Sequence, residues 1–197
     1  MVEWFEQFFG PYPFDRYGLA VADSFPGLAL EQQTRSLFSR TLFEMFAEPD
    51  VQAFLSHELA HQWFGNSVSP ASWQDIWLNE GFATYAEWMW SDMRGDQSLD
   101  DAARFGLDTP RVTPIDEPGE ELFSAASYSG GASVLHALRL TVGDDTFFDI
   151  LRTWAVQNES QSRTTEDFIA HSEQVSGQEL DEFFETWLAV DPPTSYP

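Results

Sequence analysis

His57-Glu58-Leu59-Ala60-His61, with Glu80 following after an intervening stretch of eighteen residues, is the segment from which the rest of the chain can be read. On a helix, residues four apart stand one turn above each other on the same face, so His57 and His61 can converge on one metal ion. Glu58, beside the first imidazole, is then placed to reach a water molecule at that ion. Glu80, in Asn79-Glu80-Gly81, supplies a carboxylate from the start of the next helix. Two imidazoles and one carboxylate form a donor set that suits zinc and leaves a fourth position open. The chain has no cysteine, so any metal must be held by His and carboxylate. A shuffled chain of this composition would contain H-E-x-x-H in roughly 0.5% of cases. Two of the four histidines falling into it by accident is therefore the weaker account.

Working outward, Pro49-Asp50 and Gly65-Asn66 bound a helix over 50–64, and Gly95 ends a second, amphipathic one over 79–93. Upstream the pattern is mixed. A short helix over 3–9 is broken by Gly10-Pro11-Tyr12-Pro13, and strands are expected at 17–22 and 28–34. Downstream, a proline-bearing loop over 108–119 precedes helices at 129–141, 144–157, 165–175 and 178–189. Thr164-Thr165-Glu166-Asp167 reads as a helix cap. The expected class is α+β, mostly helical. The whole of 1–197 is read as one catalytic domain: a sheet-bearing N-terminal lobe (1–48), a helical lobe with the metal site (49–191), and a tail (192–197).

Composition narrows the partners. With 43% hydrophobic residues, eight Trp and eighteen Phe, the chain can bury a substantial core. It carries 33 acidic against 9 basic residues, a net charge of −24, and every basic residue is Arg. A surface so negative repels nucleic acid and anionic lipid, so neither is an expected partner. It also suits a halophilic setting, in which counterions screen the repulsion. No run of apolar residues is long enough to span a membrane, and Met1–Gly10 lacks the basic start and cleavage site of a signal peptide. The cell location is not indicated.

The surroundings of the motif are more specific than the motif. His57-Glu-Leu-Ala-His-Gln-Trp-Phe-Gly-Asn66, followed by Trp77-Leu-Asn-Glu-Gly-Phe-Ala-Thr-Tyr85, resembles the M1 family of zinc aminopeptidases. These are gluzincins that include aminopeptidase N and leukotriene A4 hydrolase. Phe9–Phe14 and the Phe183-Phe184…Trp187-Leu188 stretch extend the likeness over most of the chain. The resemblance implies a thermolysin-like fold, one Zn2+ held by His57, His61 and Glu80, and Glu58 as general base. It also implies a peptide substrate with a free N-terminus. Glu31, in Leu28-Ala29-Leu30-Glu31-Gln32, matches the family's anchor for the α-amino group, although only the Glu of that motif is retained. Tyr128, in Tyr128-Ser129-Gly130-Gly131, matches the tyrosine that stabilises the oxyanion, with Gly where the family has Lys. Family members usually carry an N-terminal β-rich domain of comparable size, which 197 residues do not accommodate.

Around this frame, Glu87 is expected to orient a histidine, with Thr84 the alternative. His136 and His171 are expected to be ordinary helix residues, and Trp63, Trp73, Trp77, Trp88 and Trp90 to be core. The expected activity is zinc-dependent removal of the N-terminal residue of peptides. An endopeptidase, an epoxide hydrolase and an inactive zinc-binding module stay open as alternatives.

Overall fold

Helix α4 (Trp77–Arg94) runs through the middle of the molecule and is buried along most of its length. Its apolar and small residues meet neighbours on two sides: α3 (Glu48–Ala60) on one and α6 (Gly131–Val142) on the other. The computed structural model describes residues 1–23 and 28–197. Among them no helix is long and apolar enough to cross a membrane.

Local chemistry accounts for the limits of these helices. Pro49 sits in the first turn of α3, where its missing N–H costs nothing, and Glu48 and Asp50 face the positive end of the helix dipole. The pattern predicts that this helix continues to Phe64, but it ends at Ala60. His61 caps it, and residues 61–63 form a turn that starts the path into β4 (Val68–Pro70). Helix α4 stops at Gly95, whose φ of 77° is the left-handed conformation that glycine adopts without penalty.

The N-terminal sheet has the order β1-β3-β2. Strand β1 (Gly18–Ala22) runs parallel to β3 (Arg35–Ser39), and β2 (Ala29–Leu30) antiparallel to it. The strand expected over 28–34 is therefore reduced to two residues, and Glu31 lies just beyond it. Ser36 of β3 donates to the Glu58 carbonyl at 3.2 Å, which docks the sheet on α3. Helix α1 (Val2–Phe9) lies instead against α7 (Asp144–Gln157), with the Phe8 and Phe148 ring centroids 4.8 Å apart. Several described elements have no counterpart in the sequence pattern, among them β3, α2 (Arg40–Met45), the short strand β4 and α5 (Leu99–Leu107).

The C-terminal helices α8 (Thr165–Ser176) and α9 (Asp181–Leu188) close the core. A second, two-stranded parallel sheet pairs β4 with β5 (Gln161–Arg163). Just ahead of α4, Asp75 accepts hydrogen bonds from the Thr165 backbone N–H at 2.8 Å and its hydroxyl at 3.0 Å. Trp77 donates its indole N–H to the same hydroxyl at 2.9 Å. Both ends of this junction are buried. Trp63, Trp77 and Trp88 are core residues, Trp90 packs at the core's margin, and Trp73 is 63% exposed, contrary to the sequence expectation.

Candidate metal centre

The ligand geometry begins with α3 and α4 lying side by side. Nε2 of His57 lies 3.4 Å and Nε2 of His61 3.5 Å from Oε2 of Glu80. The three ligand atoms fall within 4.8 Å of one another, and all three side chains are largely buried.

What holds each imidazole on its other side fixes the tautomer. Nδ1 of His61 lies 3.1 Å from the Phe64 carbonyl and 3.0 Å from Oδ1 of Asn79. Both are acceptors, so Nδ1 carries a proton and Nε2, facing Glu80, is the nitrogen left to ligate an ion. His57 is held in the same way, with Nδ1 3.3 Å from Oε2 of Glu87. Glu87 thus orients a histidine, as its spacing predicts. Thr84 does not, and its buried hydroxyl has no hydrogen-bond partner. Asn79 was not anticipated from sequence; the available signal was a polar residue directly before Glu80. Gly65 makes room for Asn79, because a Cβ there would come within 2.0 Å of its Oδ1, and its φ of 131° is unfavourable for any side chain.

Glu58 is 7% exposed, and its Oε2 has no hydrogen-bond partner. Burial raises its pKa; the His61 and His57 rings oppose this, while Glu31 and Glu80 add to it. Burial works against protonation of His57, but the Glu80 and Glu87 carboxylates outweigh it and push its pKa up to about 10. Burial likewise raises the Glu80 pKa, yet the two imidazoles hold it well below the usual carboxylate range. A field that draws protons to the imidazoles draws a metal cation equally. With two converged imidazole nitrogens that an ion can take in place of protons, an adjoining carboxylate and further carboxylates around them, the residues present fit a zinc ion.

Tyr128 lies in a π-helical turn, Ala126–Gly130, that leads into α6. Its ring stacks on His57 with centroids 5.9 Å apart. Burial, followed by the charges of Glu80, Glu31 and Glu58, raises its pKa well above the ordinary value, so the phenol keeps its proton. Glu31, just beyond β2, is near enough that its charge acts on both Glu58 and Tyr128. Its backbone is clamped from the H-E-x-x-H side: its carbonyl accepts from Nδ2 of Asn66 and, at 3.3 Å, from Nε2 of Gln62. All six residues singled out from sequence are thus brought together. His136 and His171 lie elsewhere in the helical core. His136 packs on Tyr196, and His171 bonds the Ile150 carbonyl at 3.1 Å.

Alongside runs a cavity of about 630 Å³. His57, Glu58 and Tyr128 line it together with residues of α3, α4 and α5 and with Leu28, Ala29 and Leu42.

The sequence model of the Peptidase family M1 domain matches residues 1–187. The chain belongs to peptidase family M1. Among curated M1 relatives, it is 29% identical to aminopeptidase M1 of Arabidopsis thaliana over 94% of this chain and 24% of that protein. It is 32% identical to bovine glutamyl aminopeptidase over 82% of this chain and 18% of that one. Probable aminopeptidase 2 of Sulfurisphaera tokodaii is 29% identical, with 97% and 27% covered. The chain therefore spans roughly a quarter or less of the length of most of these relatives. Among solved structures, a mutant M1 zinc metallopeptidase from Deinococcus radiodurans bound to a Tyr-Ser-Ala substrate superposes with a TM-score of 0.84 at 33% identity. That match covers 98% of this chain and 43% of the other. Yeast LTA4 hydrolase, at 23% identity and a TM-score of 0.79 over 95% of this chain and 33% of its own, shares the fold. The mostly helical architecture with few strands is that of M1 metallopeptidase domains.

Proposed function

We propose that this M1 domain is the catalytic unit of a zinc-dependent aminopeptidase that removes the first residue from peptides with a free N-terminus. The observation that carries the reading is Glu58: a buried carboxylate oxygen without a partner, directly beside two converged imidazoles and Glu80. A metal site with a purely structural role would have no use for that carboxylate.

His57, His61 and Glu80 would hold the ion. An ion held there would acidify a water molecule and polarise the substrate carbonyl. Glu58 accepts the proton as the water oxygen bonds to the carbonyl carbon, and returns it to the amine as the C–N bond breaks. Tyr128 donates its hydroxyl hydrogen to the oxygen on which negative charge develops. Glu31 pairs with the substrate ammonium group and so sets the cut one residue from the end. Glu31, Glu58, Glu80 and Glu87 surround the site with negative charge, which suits a divalent metal together with an ammonium group. The aminopeptidase names of the relatives favour this reading over the endopeptidase and epoxide hydrolase. A neighbouring β-rich domain is supported by exposed Leu19, Val21, Leu30, Phe43 and Met45, which gather on the N-terminal sheet and α2.

The test is hydrolysis of aminoacyl-chromogenic substrates by wild type and E58Q, each verified to hold zinc. Turnover by wild type, loss in E58Q and resistance of an N-acetylated substrate are expected. Cleavage of the acetylated substrate would overturn the exopeptidase reading.

A further inference from the structure

The cavity beside the metal centre has a direction. Glu31 is held at the C-terminal end of α3, where Gln62 and Asn66 donate to its carbonyl, whereas the lining runs from His57 and Glu58 back along α3 to Asp50, with Leu28 and Ala29 also part of it. If Glu31 holds the ammonium end of a peptide, the space beyond His57, along α3 toward Asp50, lies on the leaving side of the scissile bond. The lining there is of two kinds. Phe54, Trp88 and Phe105 contribute aromatic side chains. Asp50, Glu87 and Asp96 are carboxylates, and no Arg lines the cavity. Arg94 stands nearby, but it is engaged by Glu48 at 2.7 Å and Asp96 at 2.6 Å. Ser24–Gly27, outside the described residues, carry no charged side chain, and the chain has no Lys. Thr84, 6% exposed, lines this cavity with a hydroxyl that bonds to nothing.

We propose that this cavity seats the residues after the cut and selects a cationic side chain, arginine or lysine, in the second residue of the substrate, against an acidic one or a nearby C-terminal carboxylate. This rests on the aminopeptidase reading. Aromatic faces attract a cation through the ring quadrupole, and Asp50 adds an opposite charge at the cavity's far end. Thr84 offers its hydroxyl to the leaving peptide, whose polar groups would supply the partner it lacks. Beyond the metal ligands, a carboxylate in the same space meets Asp50, Glu87 and Asp96 and no Arg. The volume is within the range of roughly 300–1,000 Å³ in which ligand pockets fall.

The experiment measures the affinity of three amidated peptides, Ala-Arg-Ala, Ala-Ala-Ala and Ala-Glu-Ala, for zinc-loaded E58Q, and their kcat/KM with zinc-loaded wild type. Affinity should fall in the order Arg, Ala, Glu, with about a tenfold or greater span between the first and last at low salt. That span should shrink in molar salt and shrink several-fold in D50N. The free-acid form of Ala-Ala should bind more weakly than its amide. Equal affinities for the Arg and Glu peptides would overturn the proposal, even with all three cleaved, and would leave the aminopeptidase reading standing. The expected order of affinities with no cleavage by wild type would support the cavity's selectivity and count against the activity.

Discussion

The His57 imidazole is held between two carboxylates, and the outer of the two, Glu87, stands 3.3 Å from Nδ1 on the side of the ring away from Glu80. Two helical turns of α4 separate the two carboxylates, so one helix supplies a ligand and the group that aims a second ligand.

E87Q should therefore weaken zinc binding by about 10–100-fold without unfolding the chain. Glu87 is 30% exposed, so loss of its charge leaves no large buried defect. Competition against a chelator of known affinity measures this. Unchanged zinc affinity would mean that Glu87 is only a solvated neighbour.

Tyr128 stacks on His57 and keeps its proton through burial and the surrounding carboxylates. Y128F removes the donor and leaves the ring. It should lower kcat by roughly 10²–10³-fold while zinc content and KM stay close to wild type. A fall in zinc content instead would show that the tyrosine supports the ligands rather than the reaction.

The backbones of α4 and α6 come close together where Gly81 faces Gly131. A Cβ on Gly81 would lie 2.9 Å from the Gly131 Cα, and backbone cannot swing aside as a side chain can. G81A should cost about 1–3 kcal/mol, a drop of roughly 2–12 °C in melting temperature. Because Glu80 is the preceding residue, zinc affinity should fall with it. Calorimetry with and without zinc separates the two effects.

His171 lies away from the metal centre and bonds the Ile150 carbonyl. Burial lowers its pKa below the ordinary 6.5, with the carbonyl bond opposing. Between the lowered folded value and 6.5, the unfolded chain binds a proton that the folded chain refuses. Stability from this group is full above 6.5 and is lost as pH falls through that window. Denaturation in chelator at about pH 7.5 and about pH 5 should show wild type losing more stability than H171Q. Parallel losses would exclude His171 as a source.

The charge of −24 makes a separate prediction. Raising salt from about 0.1 M to about 1 M shortens the screening length from roughly 10 Å to 3 Å, so the melting temperature should climb. A flat response would sink the halophilic reading.

The metal site was legible because its information is local. His57 and His61 need only helical periodicity, and Glu87 only its seven-residue spacing from Glu80. Asn79 was not legible, since its role depends on the turn at Phe64–Gly65 bringing the end of α3 back to the start of α4. The sheet was read least well. Arg35–Ser39 alternates weakly, and its strand is specified by pairing with β1 on one side and β2 on the other. Helix α5 does carry a cap, with Ser98 accepting from the Asp101 N–H at 3.1 Å, but its nine residues give a weak periodic signal.

The junction between Asp75 and Thr165 has a consequence for synthesis. Its partners are 90 residues apart in sequence. At about 5–20 residues per second, roughly 5–20 seconds pass on the ribosome between them. Both histidines and Glu80 have then been made, but the buried brace at the start of α4 has not. A nascent chain thus carries its complete ligand set before it can hold that set rigid, and tight capture of zinc waits for the C-terminal helices to arrive.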